Sequence, residues 1–169
     1  SYVAASSTLK LDKHRFVFLA GDEADRFFEV ESGAVMVYRL LDDGRRQVVE
    51  IVFAGNICGL AKSDEHEFCC ETLTPTVLRS FKRAALAQSD VLRTRVLDSL
   101  QQQIATLHDH TVSLGRKTAE ERICTLILRL QEQVGEDVDA AVALPMSRTE
   151  IADYLGLTLE TVCRTITQL

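Results

Sequence analysis

No run of apolar residues in this chain approaches the roughly 20 needed to cross a bilayer, so neither a membrane span nor a membrane partner is expected. The opening SYVAASSTLK has no apolar core of signal-peptide type, which predicts a cytoplasmic protein. The first residue is Ser rather than Met, which predicts further residues upstream. Cys58, Cys69, Cys70, Cys124 and Cys163 are odd in number and show no C-x-x-C spacing. That pattern argues against a disulfide framework or a zinc site and points to reduced thiols and no metal. Basic charge is not in excess: the net charge of −6 counts against nonspecific attraction to nucleic acid. Paired carboxylates, a Ser/His/Asp arrangement and a phosphate-binding loop are all missing at diagnostic spacing, so no catalytic residues are assigned and no enzyme is expected.

What is present reads as a soluble globular chain. It has 169 residues, 46% of them apolar, with both charge signs well mixed, enough for one or two small domains with real cores. From about Phe16 to Phe81 the signals are short β-type runs punctuated by glycine: RFVFLAGDEA, then FFEVESGAVMVYRL, then DDG, then RRQVVEIVFAG. Asp43-Gly44 between two such runs predicts a hairpin, because both residues tolerate the positive φ of a tight turn. Regularly spaced short strands of this kind suggest a small antiparallel barrel or roll over residues 1–88.

A strict helical period follows over residues 89–115. Leu97, Leu100, Ile104, Leu107, Thr111 and Leu114 recur at alternating spacings of three and four, which keeps a narrow apolar seam on one side of the helix. Such a seam either lies on the chain's own barrel or pairs with a second helix; the narrow stripe favours pairing and predicts a homodimer.

Residues 116–169 carry the third pattern. Thr118 and Glu121 form a capping box for a helix bearing Ile123, Leu126, Ile127 and Leu130, and EQVGEDVDAAVALP reads as a loop with room for a short strand. Ser147 and Glu150 form a second capping box, Ile151 and Leu155 face inward, Gly156 ends the helix, and Thr158 caps the next one. Two short helices joined by a glycine-containing turn make a helix-turn-helix. On the last helix, at about 100° per residue, Leu159, Val162, Ile166 and Leu169 share one side. Arg164 points away from them, flanked by Glu160, Thr161, Thr167 and Gln168. One reading of this outer face is an exposed Glu160–Arg164 ion pair in the favourable i,i+4 order, worth about 0.2–0.5 kcal/mol. The other is base recognition, with the arginine fork directed at guanine O6 and N7.

The order of parts resembles the CRP/FNR family of bacterial transcription regulators and, within it, a FixK-like branch. The resemblance covers nearly the whole chain and is sharpest in MSRTEIADYLGLTLETVCRTITQL, where E-T-V-C-R stands in place of the E-x-x-S-R of FNR-like proteins. SGAVMVYRLLDDGRRQVVEIVFAGNICG matches the family's glycine spacing. The resemblance implies an α+β fold: an antiparallel jelly-roll β-roll of cyclic-nucleotide-binding type, a dimerisation helix and a winged helix-turn-helix. The wing would follow Leu169. It further implies an activator that binds palindromic double-stranded DNA with TTGAT-type half-sites and contacts RNA polymerase, serving low-oxygen respiration or nitrogen metabolism. Glu160, Cys163 and Arg164 then occupy base-reading positions and Ser147 and Arg148 phosphate-contacting ones, with Thr158 and Thr161 beside them on the DNA face. Nine carboxylates against Arg116, Lys117, Arg122, Arg129, Arg148 and Arg164 in residues 116–169 leave specific contacts to carry much of the binding.

The same resemblance sharpens what is missing from the roll. In GLAKSDEHEFCCETLTPTVLR, Gly59 is followed by Leu60 where cyclic-nucleotide receptors carry Glu, and no arginine occurs between Lys62 and Arg79, so cAMP binding is not expected. An FNR-type iron–sulfur cluster needs three clustered N-terminal cysteines, and none precedes Cys58. Cys58, Cys69, Cys70 and Cys124 read as core or edge-strand thiols. A haem-sensing variant would draw on His66, His108 or His110, of which His66, in an acidic loop, reads as solvated. No cofactor is therefore assigned. Cys163, next to Arg164 and one turn from the helix start, is either a simple replacement for serine or a redox site whose oxidation blocks DNA binding. The reading from a different class is a dimeric protein-interaction adaptor whose helical hairpin binds protein.

Overall fold

The computed structural model describes residues 6–134 and 144–168. The opening residues 1–5, the central part of the expected loop (135–143) and Leu169 lie outside the described residues. The strands are β1 (Ser6–Leu11), β2 (Phe16–Phe18), β3 (Arg26–Ser32), β4 (Ala34–Leu40), β5 (Arg46–Phe53), β6 (Ile57–Cys58), β7 (Cys69–Thr72) and β8 (Thr76–Lys82). They form two facing four-stranded sheets, ordered β1-β8-β3-β6 and β2-β7-β4-β5. All pairings between these strands are antiparallel.

The turns obey local chemistry. Between β4 and β5, Gly44 has φ +83° and its N–H donates to the Leu41 carbonyl at 2.9 Å, while the Arg45 N–H donates to Asp43 Oδ1 at 3.0 Å. The Asp-Gly hairpin is thus where its residue types predict it. Gly33, between β3 and β4, has φ +84°, and an added Cβ would lie 2.5 Å from the Pro75 carbonyl, so only glycine fits. Strand β1 was not anticipated from sequence. Its side chains are mostly exposed, and backbone pairing with β8 holds it, from Ser6 opposite Phe81 to Leu11 opposite Thr76.

Side-chain alternation builds three cores. Phe18, Phe28, Val30, Val35, Val52, Cys58, Cys70 and Leu78 point between the sheets and fill the sandwich. On the outer face of the first sheet, Phe27 and Phe81 stack at 5.4 Å and pack with Ile57 against Leu92 and Val96 of helix α1 (Asp90–Arg116). On the outer face of the second sheet, Ala34, Met36, Tyr38, Val48, Ile51 and Leu73 pack against the C-terminal helices. Strand β4 is therefore covered on both faces, which is why it reads AVMVY and not as an apolar–polar alternation. The C-terminal helices are α2 (Ala119–Val134), α3 (Arg148–Leu155) and α4 (Leu159–Gln168). None of the described helices is long and apolar enough to cross a membrane.

Helix α1 starts at Ser89, whose hydroxyl accepts from the Leu92 N–H at 3.2 Å. It passes the open edge of the sandwich, where β5 and β6 end their sheets. Polar contacts hold it there. The Ile57 N–H donates to Ser99 Oγ at 2.9 Å, Gln103 Nε2 donates to the Ile57 carbonyl, and Arg95 pairs with the buried Glu29. Between helix and roll lies a cavity of about 520 Å³ whose lining includes Phe18, Glu50, Leu60, His66, Leu100 and Gln103. Burial pushes the Glu50 carboxyl from its ordinary 4.5 up to about 7, against a smaller opposing pull from Arg129.

Because the folded-state value is the higher one, Glu50 favours the fold below pH 4.5, and that contribution is lost as pH rises through about 7. Glu50→Gln is expected to raise stability at pH 8 by about 2–3 kcal/mol, less at pH 6, and to leave it nearly unchanged at pH 4.5. Urea unfolding at the three pH values measures this; an equal effect at all three rules out the ionisation as its cause.

Candidate nucleic-acid interface

The C-terminal helices begin with local capping chemistry. The Thr118 N–H donates to Glu121 Oε2 at 2.7 Å and the Glu121 N–H returns to Thr118 Oγ1 at 3.3 Å. The Ser147 N–H donates to Glu150 Oε2 at 2.6 Å and the Glu150 N–H to Ser147 Oγ at 3.2 Å, the second reciprocal box. Gly156 adopts φ +62° and closes α3, the turn is sealed by the Leu157 N–H on the Ala152 carbonyl at 3.1 Å, and Thr158 Oγ1 caps α4 by accepting from the Thr161 N–H at 3.2 Å. Ile123, Leu126, Leu130, Ile151, Leu155 and Val162 join one core, fully closing Val162 from solvent.

That core determines which face of α4 remains outside. Glu160, Arg164, Thr167 and Gln168 are exposed, Thr161 and Cys163 are half-buried at the rim, and Thr158, Ser147 and Arg148 are exposed at the helix starts. Among the described residues the guanidinium groups of Arg148 and Arg164 make no hydrogen bond or ion pair, so the Glu160–Arg164 bridge is not formed and both are available to a ligand. One inward assignment needs correction. Leu159 is 48% exposed and Thr165 is buried in its stead, because the helix rolls Val162 and Thr165 toward α2 and α3; Ile166 is half-buried.

On α1 two seams run side by side. Leu92, Val96, Ser99, Gln103, Thr106, His110 and Ser113 face the chain's own domains, each buried or half-buried. One residue further round, Leu97, Ile104, Leu107 and Thr111 are exposed, while Leu100 and Leu114 are half-buried. Leu100 also packs on the Phe27 cluster, so it serves both sides. The Thr111 hydroxyl donates back to the Leu107 carbonyl at 2.8 Å.

Several residues matter that periodicity did not single out. Arg122 donates from Nε to the Lys117 carbonyl at 3.0 Å, from Nη1 to that of Leu155 at 3.2 Å and from Nη2 to that of Leu114 at 2.6 Å. One guanidinium therefore ties the end of α1 to the end of α3, satisfying carbonyls that helix ends leave open. The helix-turn-helix is also clasped to the roll. Arg46 Nε meets Asp153 Oδ2 at 2.8 Å, Gln47 Nε2 donates to the Asp153 carbonyl at 2.8 Å, and His14 Nδ1 lies 3.1 Å from Glu71 and 3.6 Å from Glu150. These contacts join residues more than fifty positions apart, so only the apolar run in β4 hinted at them.

The three histidines considered for haem occupy separate surroundings. His66 is buried, not solvated, and stacks on Phe18 at 3.8 Å, where burial lowers its pKa. His110 stacks on Tyr154 at 4.1 Å, its pKa lowered by burial and then by Arg129, and His108 is exposed. Arg79 lies outside the cavity lining and pairs with Glu29 at 3.7 Å and with Glu31. The cavity is lined by Leu60, Ala61, Glu50 and Glu67, and among the described residues Lys62 is the one lysine or arginine that lines it.

Residues 121–169 match the Crp-like helix-turn-helix domain and residues 8–89 the cyclic nucleotide-binding domain. The nitrogen fixation regulation protein FixK of Rhizobium meliloti is 40% identical over 92% of this chain and 71% of its own length. The protein of the same name from Bradyrhizobium diazoefficiens is 35% identical over 90% of this chain and 67% of its own. The structure of FixK2 from Bradyrhizobium japonicum superposes with a TM-score of 0.80 at 34% identity, covering 97% of this chain and 84% of that one. The exposed polar face of a helix-turn-helix, hung from a long helix on a two-sheet roll, has its counterpart in these regulators, and the chain belongs to the CRP/FNR family of DNA-binding transcription regulators, in its FixK-like branch.

Proposed function

We propose that two copies pair through the outer seam of α1 and place two α4 helices in successive major grooves of a palindromic site. The observation that carries this reading is the pairing of two exposed features, the apolar seam of Leu97, Ile104 and Leu107 and the unpaired Arg164 on the face of α4. Pairing removes the seam from water, and a two-fold axis turns one reading head into two, matched to half-sites about 34 Å apart. The domains act as a roll (1–88), a dimerisation helix (89–115) and a DNA-binding unit (116–169). Glu160, Cys163 and Arg164 read bases, Ser147 and Arg148 contact phosphates, and Thr158 and Thr161 lie beside them on the DNA face. The protein activates transcription by engaging RNA polymerase from a TTGAT-type palindrome at genes of low-oxygen respiration or nitrogen metabolism; the names of the two nitrogen fixation regulation proteins it resembles support the nitrogen role. The roll works without a cyclic nucleotide, since Leu60 and two carboxylates line its cavity.

Control then falls to chemistry at the reading head. Cys163 is a free thiol, half-buried at the rim of α4 beside Arg164. Oxidation to sulfinic or sulfonic acid puts a fixed negative charge against phosphates and base edges, where like charges repel.

Ile104→Glu leaves a charge in the paired seam and costs several kcal/mol unless the helices separate. Sedimentation is expected to show monomers that no longer bind the palindrome, and a mutant that remains fully dimeric overturns the seam. Arg164→Ala is expected to lose about 1–3 kcal/mol per half-site together with the preference for guanine. Retained preference in a binding titration against guanine-substituted sites means another residue reads that base. After peroxide treatment, wild type is expected to lose DNA affinity, Cys163→Ser to keep it, and Cys163→Asp to bind poorly from the start. Equal inactivation of the Ser variant removes Cys163 as the switch.

A further inference from the structure

We propose that Cys58 and Cys70 are a second thiol site, closing a reversible disulfide across the interior of the roll. Cys58 sits on β6, at the edge of one sheet, and Cys70 on β7 of the facing sheet; both side chains point into the sandwich core. The register brings them together. Cys58 is opposite Phe28 and Cys70 is opposite Phe18, and the rings of Phe18 and Phe28 stack across the core at 6.0 Å. Both thiols belong to the one buried cluster that fills the sandwich, and the Cys70 pKa is raised first by burial and then by the neighbouring Cys58 thiol. Strand alternation excludes the neighbour: Cys69 points to the opposite face, into the cluster with Met36 and Tyr38, where its Sγ accepts from the Ala20 N–H at 3.4 Å.

Access distinguishes the two sulfurs. Cys58 lines the 520 Å³ cavity between roll and α1, whereas Cys70 does not reach it and is fully buried. With hydrogen peroxide as oxidant, the Cys58 thiolate attacks one oxygen, the O–O bond breaks, and Cys58 sulfenic acid and a first water form once a proton is taken up. Cys70 sulfur then attacks Cys58 sulfur, the S–O bond breaks, and the departing hydroxide leaves with the Cys70 proton as a second water. Two thiols and one peroxide thus give one disulfide and two waters. Burial keeps Cys70 a thiol by pushing its pKa well up, so it acts only once its partner has been activated.

The bond bears on the dimer helix. A disulfide needs its Cβ atoms about 3.5–4.5 Å apart, and the part with least to hold it back is β6, two residues long and paired only with β3 within its sheet. The same strand is clamped to α1 through Ile57, Ser99 and Gln103. Drawing Cys58 inward pulls Ile57 away from α1 and unseats the helix that carries the outer seam.

The test uses the full chain with Cys163→Ser, so that chemistry at the reading head is absent. After treatment with near-stoichiometric hydrogen peroxide and blocking of remaining thiols, nonreducing tryptic mapping is expected to yield residues 47–62 joined to 63–79, lighter by two hydrogens and separated by dithiothreitol. Adding Cys69→Ser preserves the linked pair and adding Cys70→Ser abolishes it, leaving Cys58 to proceed to sulfinic acid. Absence of the linked peptide, or its persistence in the Cys70→Ser variant, overturns the site. Sedimentation of the linked protein is expected to shift toward monomer, and an unchanged dimer overturns the coupling to α1.

Discussion

Helix α1 must bury one stripe of its surface against its own chain and leave a second stripe for something else. Its inner seam runs from Leu92 through Val96, Ser99, Gln103 and His110 to Ser113, and its outer seam lies one residue further round. The inner seam is apolar only at its start and polar afterwards, so the helix is held to the roll by apolar packing near Leu92 and by directed hydrogen bonds from Ser99 and Gln103 farther on. Those bonds are strong only where geometry is kept, which makes the seat of the helix sensitive to small movements of β6. This helix links the two ends of the molecule, since it leads into the helix-turn-helix at one end and faces the roll's cavity in the middle.

A second consequence of the architecture is that the roll is a scaffold with no free sheet face under the helices. One sheet packs its outer face on α1 and the other packs its outer face on the helix-turn-helix. Tyr38 illustrates the cost: burial, with Cys69 and Glu71 close by, pushes its phenol up to about 12 and keeps it neutral. The clasp of Arg46, Gln47, His14, Glu71, Glu150 and Asp153 fixes where the reading head sits relative to the roll. Glu150 both caps α3 and meets His14, so the local start of the helix and its long-range placement share one carboxylate.

The acidic balance of the chain fits this picture without contradicting DNA binding. The carboxylates of the C-terminal unit are partly engaged inside the protein, as Glu150 and Asp153 in the clasp and Glu121 in a capping box show. The exposed face of α4 carries Arg164 with a single carboxylate, Glu160, beside it. Local charge at the reading head, and not the sum over the chain, governs what a phosphate or base edge meets there.

The sequence alone determined the features that depend on neighbours along the chain. Both capping boxes, the Asp43-Gly44 hairpin, the Gly156 turn and the outward direction of Arg164 follow from spacing, because a helix or turn repeats its geometry every few residues whatever surrounds it. Tertiary structure decided the rest. Leu159 turned outward and Thr165 inward because the roll of α4 is set by the shape of the surface formed by α2 and α3. His66 was buried by Phe18, a residue 48 positions away, although its own neighbours are charged. Strand β1 owes its place to backbone bonds with β8, which leave no mark in a side-chain pattern. The fork of Arg122, the raised pKa of Glu50 and the meeting of Cys58 with Cys70 all arise where distant segments exclude water together, and desolvation is a property of the packed whole.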